Sequence, residues 1–292
     1  MIKSDRIVQT ISHIVLILFS IASIIPFVIL ISSSLTSEDS LVREGYNFIP
    51  AEFTFEAYRY LVQSSSEIIQ AYGITILVTV VGTALSLAIT SMFAYGLSRR
   101  DLPLRNFLTF LVFFTLLFNG GLAPTYLVYT QFLDLKNTIW SLIVPGLLMN
   151  GFNVLLMRAF FMSSVPEAVL ESARIDGAGE FRIFLKMVLP LSLPIMATIG
   201  LLQVIIYWND WFNGLIYLTD PKLFSIQNLL NRMISDIQFL SSNNVGPTAF
   251  AQMPSTAVRM AIAAIAVVPI IVAYPFFQKY LVKGIALGGV KE

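Results

Sequence analysis

Residues 166–194 read PEAVLESARIDGAGEFRIFLKMVLPLSLP, a charged and glycine-containing stretch in an otherwise apolar chain. The stretch holds four acidic and three basic residues, whereas only 12% of the 292 residues of the whole chain are charged. The chain is 57% hydrophobic with a mean hydropathy of +0.79, more apolar surface than a soluble fold of this length can bury. The composition therefore predicts an all-α, polytopic membrane protein, with the charged stretch as a loop outside the bilayer.

Two short helices with a hinge between them are predicted inside this loop. Residues 164–167 have the S-x-x-E spacing of a capping box, with a proline in the first turn. Gly177 predicts the end of the first helix, because glycine is the preferred residue just after a helix. A second helix is predicted at about residues 180–188, after which Pro190 and Pro194 bend the chain back into the bilayer. A helix pair on a membrane surface indicates a docking element.

Six apolar runs are long enough to span a bilayer, which needs about 20 residues. The predicted spans are residues 11–31, 71–97, 106–129, 138–161, 193–218 and 256–281. The first run is interpreted as a retained helix, because at about 21 residues it exceeds the 7–15 of a signal-peptide core and Pro26 interrupts it. We expect a single membrane domain over residues 1–292, with its core at 71–281 and the loop at 164–194.

The distribution of Lys and Arg predicts the orientation of the spans. Twelve fall on one side, namely Lys3, Arg6, Arg99, Arg100, Arg105, Arg158, Arg174, Arg182, Lys186, Lys279, Lys283 and Lys291. Five fall in loops on the other side, namely Arg43, Arg59, Lys136, Lys222 and Arg232. Both termini and the loop at 164–194 are therefore predicted to be cytoplasmic, whereas residues 32–70 and 219–255 are predicted to lie outside.

Several kinds of chemistry are excluded or disfavoured by the residues present. The chain has no Cys, which excludes disulfides and thiolate catalysis, and its one His, His13, is interpreted as an interfacial side chain. A GK dipeptide is absent, so the chain has no Walker A phosphate loop and its energy must come from a partner. No catalytic residue, metal site or cofactor is predicted, and a net charge of +1 gives no reason to expect nucleic acid.

The loop resembles the EAA motif of bacterial ABC importer permeases. Glu171-Ser172-Ala173, three residues, Gly177, nine residues and Met187-Val188-Leu189-Pro190 follow that pattern, departing from it at Ser172 for Ala and Met187 for Ile. The form ARIDGAGEFRIFLKMVLP is most similar to the carbohydrate-uptake branch, the MalG-like permeases of the maltose-transporter type. The resemblance extends along most of the chain, with similar stretches at residues 83–106, residues 208–218 (WNDWFNGLIYL) and residues 278–292 (QKYLVKGIALGGVKE). Residues 118–146 are similar to permeases assigned to complex oligosaccharides or polysaccharide fragments.

The resemblance implies a multi-pass permease of the bacterial cytoplasmic membrane that imports a carbohydrate by alternating access. It implies a second, non-identical permease, two ATPase copies that bind ATP and Mg²⁺, and an extracytoplasmic sugar-binding protein that contacts residues 219–255. It also implies that α-helical residues of the loop and the C-terminal tail couple the permease to the ATPase. The implied coupling residues are Glu167, Glu171, Ser172, Ala173, Asp176, Gly177, Gly289 and Lys291.

Polar side chains at membrane depth are candidates for a sugar path, because such residues are costly in lipid. The candidates are Asn119, Asn150, Asn153, Trp208, Asn209 and Trp211, with Asn213 beside them. We also expect Asn119-Gly120-Gly121 and Pro145-Gly146 to break their helices, which is tolerated where the backbone is buried or faces a cavity. The alternatives are an interfacial tryptophan belt and hydrogen bonds of Asn between helices.

Three other classes of protein remain as alternatives. An ABC permease for a non-sugar solute would share the loop. A secondary transporter would need an acid or ion site at mid-membrane depth, where the predicted spans have no Asp or Glu. A membrane enzyme would need a pair of catalytic side chains, and the sequence shows none.

Overall fold

The computed structural model describes residues 2–63, 65–242 and 256–289 of the chain. The described residues are helical and irregular, with one isolated antiparallel bridge between Thr36 and Phe53. This confirms the all-α prediction. The predictions at Lys291 and at residues 243–255 of the second outer segment lie outside the described residues.

The described residues form a series of helices along the chain. In chain order they are α1 (Ile2–Ser34), α2 (Glu38–Glu44), α3 (Glu56–Gln63), α4 (Ser65–Ser98), α5 (Arg105–Leu117), α6 (Leu122–Leu127), α7 (Trp140–Ile143), α8 (Gly151–Ser164), α9 (Glu167–Ile175), α10 (Glu180–Ile183), α11 (Leu189–Leu191), α12 (Leu193–Asn209), α13 (Phe212–Tyr217), α14 (Ile226–Ser242) and α15 (Thr256–Gly289). Two π-helical turns, Val128–Phe132 and Phe184–Val188, extend α6 and join α10 to α11.

Among the described residues, two helices are long and apolar enough to cross a membrane, over Val8–Ser34 and Ser66–Ser98, and they contain the predicted spans 11–31 and 71–97. Three further helix pairs meet the same test only when each bent pair is taken together. These pairs are α5 with Leu122–Phe132 (bent by 116°), α8 with α9 (78°), and Glu180–Leu191 with α12 (83°). Apolar length and composition thus give up to five spans among the described residues, and six remains a prediction.

The two predicted helix breaks are confirmed. α5 ends at Leu117 and α6 begins at Leu122, after Gly121 with a φ of +80°. α7 ends at Ile143 and α8 begins at Gly151, with Gly146 at a φ of +70° between them. Glycine adopts positive φ without the penalty that a Cβ imposes, which is why the chain turns at these positions.

The chain forms two compact units. The first comprises residues up to Ile68 together with Leu230–Ile270. In it, Glu38 on α2 accepts hydrogen bonds from the backbone N–H groups of Thr256 and Ala257, each at 2.9 Å. A carboxylate at these N–H groups satisfies donors that the first turn of α15 leaves free and complements the helix dipole.

The second unit comprises Ile69–Leu229 and the residues from Ile271 onward. An apolar cluster joins the C-terminal half of α4 to α5, α8, the loop at 164–194 and α12. The buried members are Ala94, Tyr95, Leu97, Val112, Val154, Met157, Phe161, Val165, Ala173, Ile183, Phe184, Val188, Ile195 and Ile199. One side of the loop at 164–194 therefore packs against the helices of this unit.

Candidate functional site

The first helix of the loop, α9, ends in a Schellman motif. The N–H of Ala178 donates to the carbonyl of Ala173 at 2.9 Å, and the N–H of Gly177 donates to the carbonyl of Arg174 at 3.0 Å. Gly177 has a φ of +78°, the left-handed conformation that this motif requires at that position. The predicted glycine hinge is thus a helix stop with defined backbone hydrogen bonds.

The beginning of α9 differs from the predicted capping box. Ser164 is the last residue of α8, and its hydroxyl lies 3.3 Å from that of Ser163. Pro166 is the N-cap of α9, with no side-chain cap, so the prediction of an S-x-x-E cap at residues 164–167 was wrong. Because α8 extends through Ser164, that residue cannot take the extended backbone of an N-cap.

The two faces of α9 have opposite environments. The side chains of Glu167, Glu171 and Ser172 are exposed. Ala173 is only 2% exposed and belongs to the apolar core, whereas Ile175 in the last turn is 86% exposed. Of the predicted coupling residues on α9, three therefore face outward, and the small size of Ala173 serves packing against the protein interior.

The remaining coupling residues lie at helix ends. Asp176 is the exposed C-cap of α9, beside Gly177. Gly289 is the last residue of α15, and Lys291 lies outside the described residues. The structure therefore brings together the predicted coupling residues from Glu167 to Gly177.

A carboxylate at the start of α10 gathers donors from the end of α4 and from α9. The Oε2 atom of Glu180 accepts a hydrogen bond from the hydroxyl of Tyr95 at 2.8 Å and lies 2.5 Å from a terminal nitrogen of Arg99. Its Oε1 atom accepts from the Nε of Arg174 at 3.0 Å. Arg99 also pairs with Asp101, and that hydrogen bond lowers the pKa of Asp101 below its usual range. We refer to these five residues as the Glu180 cluster.

The second helix of the loop is confirmed, with a wider turn inside it. The α10 helix continues through the π-helical turn Phe184–Val188 into α11, where Leu189 donates to the carbonyl of Phe184. Pro190 supplies no N–H for the α-helical pattern, so a wider turn just before it is physically expected.

The break between α7 and α8 is held by side chains from α12 and α13. Tyr207 donates to the carbonyl of Ile143 at 3.0 Å, Asn213 to that of Pro145 at 3.0 Å, and Gln203 to that of Leu147 at 3.3 Å. All three donors are buried. A broken helix at membrane depth is tolerated because neighbouring helices satisfy the freed carbonyls.

The predicted sugar-path residues are dispersed. Asn119 accepts from the N–H of Gly121 at 3.0 Å, and Asn150 caps α8 by accepting from Phe152 at 2.8 Å and Asn153 at 3.4 Å. Both asparagines therefore define local turns.

The other members of this set lie on α8 or near the junction of α12 and α13. Asn153 and Trp208 are buried, whereas Asn209 is exposed and donates to the carbonyl of Ile205 at 2.8 Å. Trp211 is 41% exposed and packs edge-to-face on Phe212 with ring centroids 5.8 Å apart. Trp211 thus presents an indole that a ligand could reach.

Sequence reasoning missed Gln203, Tyr207 and the Glu180 cluster. Gln203 and Tyr207 are polar residues one helical turn apart in an otherwise apolar helix. The helix break predicted at Pro145-Gly146 leaves backbone carbonyls that need hydrogen-bond donors. Together, these two features of the sequence could have identified Gln203 and Tyr207 as the donors. The Glu180 cluster joins residues far apart in sequence, and a single sequence carries no signal for that pairing.

Comparison with known proteins places this architecture in a family. The family model described as binding-protein-dependent transport system inner membrane component matches residues 92–287 of this chain. The chain is 38% identical over 276 residues to the polygalacturonan/rhamnogalacturonan transport system permease protein YtcP of Bacillus subtilis (strain 168), covering 94% of this chain and 95% of that protein. It is 28% identical over 273 residues to the arabinooligosaccharides transport system permease protein AraQ of Halalkalibacterium halodurans, covering 92% and 91%.

A solved structure is also similar. The crystal structure of a bacterial ABC transporter involved in the import of the acidic polysaccharide alginate contains a chain that superposes with a TM-score of 0.80. The two chains are 30% identical, and the similarity covers 95% of this chain and 97% of that one.

The chain belongs to the family of binding-protein-dependent transport system inner membrane components. It is a permease subunit of an ABC importer in the inner membrane and is not itself an enzyme. Membership implies an ATPase and a substrate-binding protein as partners.

Proposed function

We propose that this permease imports a carbohydrate, most specifically an oligosaccharide or polysaccharide fragment, that an extracytoplasmic binding protein delivers. The support is that YtcP, AraQ and the alginate importer are each named for a polysaccharide or its fragments. The bundle opens alternately to the two sides of the membrane, as in other transporters.

The observation that carries the coupling mechanism is the two-faced geometry of α9. One face is buried through Ala173, while the opposite side presents Glu167, Glu171 and Ser172 and the 86% exposed Ile175. A large apolar side chain this exposed on a charged loop suits a partner cleft. We infer that α9 is the coupling helix, that the loop at 164–194 is the EAA loop, and that Gly289 and Lys291 face the ATPases.

The finer architecture follows the same proposal. The chain forms one permease domain over residues 1–292 with a core at 71–281, six spans and both termini in the cytoplasm. Its partners are a second, non-identical permease, two ATPase copies that hold ATP and Mg²⁺, and a binding protein that contacts residues 219–255.

The sugar path is proposed to include the polar and aromatic side chains already named. These are Asn119, Asn150, Asn153, Trp208, Asn209 and Trp211. The half-exposed indole of Trp211 offers a flat face for stacking against sugar C–H groups.

Uptake by the complete transporter in proteoliposomes tests the substrate class. We would compare the uptake of galacturonan, alginate and arabinan oligosaccharides, each supplied with its binding protein. The uptake of an amino acid would serve as the non-sugar comparison. We expect uptake of at least one oligosaccharide that depends on ATP. Uptake of the amino acid alone would contradict the carbohydrate assignment.

The docking face is tested separately with Ile175→Glu, which places a charge where we propose an apolar contact. Co-purification with the ATPase should fall at least about tenfold, since buried interface anchors contribute about 2 kcal/mol or more. Val42→Glu is the matched control, because Val42 is also highly exposed but lies on α2. Equal co-purification of both variants would rule out α9 as the docking helix.

A further inference from the structure

The Glu180 carboxylate lies at the meeting point of three elements. Tyr95 is in the last turn of α4, Arg99 directly follows that helix, and Arg174 is in the last turn of α9. Glu180 begins α10 and receives all three side chains within 3.0 Å. One carboxylate thus joins both helices of the loop to the end of a membrane-spanning helix.

Aromatic contacts hold the Tyr95 ring of the cluster in place. The ring of Tyr95 lies 5.4 Å from that of Phe184 and 6.5 Å from that of Phe161, measured between centroids. Tyr95 therefore contacts the loop through its ring as well as through its hydroxyl. Since the ring is buried among these neighbours, its hydroxyl is directed at Glu180 at little further entropic cost.

The end of α4 is also fixed to the rest of the bundle. The Nε of Arg158 on α8 donates to the carbonyl of Leu97 at 3.0 Å, one of the carbonyls that a helix end leaves free. A displacement of α4 at this end would therefore move α8 as well. The Glu180 cluster therefore lies where motion of the loop can be transmitted to the spanning helices.

We propose that Glu180 is a positioning residue for coupling, which fixes the end of α9 to the end of α4 so that motion imposed on α9 reaches the spanning helices. This inference rests on the proposed function of α9 as the coupling helix. An isolated ion pair on a surface contributes little. Here three donors from separate positions share one carboxylate, and a shared acceptor restricts all of them together.

Glu180→Gln is the variant that tests this role. A glutamine has nearly the same shape but carries no negative charge, and Arg99 keeps Asp101 as a partner. In the complete transporter, the expected result is a fall of at least about fivefold in sugar imported per ATP hydrolysed, the low end of coupling effects between sites. The sugar is whichever oligosaccharide the wild-type transporter imports.

A smaller change guards against misfolding. Tyr95→Phe removes one hydrogen bond and retains the ring, and it should lower the same ratio by a smaller factor. Glu180→Asp restores the charge on a shorter side chain and should recover part of the ratio. Arg99→Gln removes another partner of Glu180 and should also lower the ratio. Arg100→Gln is its matched control, because the exposed Arg100 lies outside the cluster, and this control should leave the ratio unchanged.

The outcomes separate this inference from the proposed function. A wild-type complex that imports no sugar would contradict the function itself. If the wild-type complex couples normally and Glu180→Gln lowers sugar import and ATP hydrolysis in equal proportion, the role of Glu180 is purely structural. That result would overturn the inference. Non-additive losses for Arg99→Gln combined with Glu180→Gln would support it, and additive losses would count against it.

Discussion

The hydroxyl of Tyr207 donates to the carbonyl of Ile143 over 3.0 Å, at the residue where α7 ends. Tyr207 is 2% exposed, so the phenol and the carbonyl are removed from solvent together. This pair is one of three by which α12 and α13 satisfy the broken helix. The break and its donors are therefore a single structural unit.

Removing the Tyr207 hydroxyl should destabilise the protein. Tyr207→Phe leaves the Ile143 carbonyl without that donor, and we expect a loss of about 1 kcal/mol in the free energy of unfolding in mixed micelles. Tyr60→Phe is the control, because Tyr60 is 44% exposed. Equal stabilities for the two variants would show that the bond contributes nothing.

The same tyrosine explains a glycine on α4. A Cβ atom on Gly82 would lie 2.6 Å from the Tyr207 ring, closer than van der Waals contact permits. Gly82→Ala should therefore cost about 1–3 kcal/mol, the usual range for overpacking a filled core.

Gly96 on the same helix supplies the matched control for Gly82. A Cβ atom there meets nothing within 4 Å. Gly96→Ala should leave the free energy of unfolding unchanged or raise it by up to about 1 kcal/mol, because alanine has a higher helix propensity than glycine. Thermal denaturation of both variants in the same detergent measures the difference, and a stabilising Gly82→Ala would contradict the predicted clash.

The all-α fold class and the positions of the helix breaks were predictable from the sequence, whereas the contacts between helices were not. Apolar runs predict α1 and α4, and Gly121 and Gly146 mark turns because local backbone geometry favours glycine there. The capping box failed because α8 extends through Ser164, a length that tertiary packing decides.

The candidate site divides along the same line. Residues 171–190 predict the loop, because the motif is local. That Ala173 faces the core depends on tertiary packing, and Glu180 receives Tyr95 from 85 positions away in the chain. Such pairings are set by the packing of α4 on the loop, which the periodicity of either segment does not specify.

In the first unit, Glu38 is expected to protect the first turn of α15. Glu38→Gln leaves one amide oxygen for two N–H groups and removes the charge, so the amide hydrogens of Thr256 and Ala257 should exchange faster. A loss of about 1 kcal/mol corresponds to roughly a fivefold increase in exchange rate. Glu44→Gln, at an exposed position on α2, is the control, and unchanged exchange in Glu38→Gln would contradict the cap.

Gly177 is expected to be the loop position most sensitive to a methyl group. At a φ of +78° an alanine would pay about 1–2 kcal/mol of backbone strain, which the Schellman hydrogen bonds would have to offset. Because open space surrounds the position, this cost comes from the backbone and not from a clash. We expect Gly177→Ala to lower sugar import by the assembled transporter while insertion in the membrane is retained.

The controls for Gly177 separate backbone strain from a general effect of changing the loop. Gly179 has a φ of −69° and open space for a Cβ, so Gly179→Ala should keep most of the import activity. Gly177→Asn should be milder than Gly177→Ala, because asparagine adopts left-handed backbone more readily. If Gly177→Ala and Gly179→Ala had equal import, the left-handed turn would not be what holds α9 in its working position.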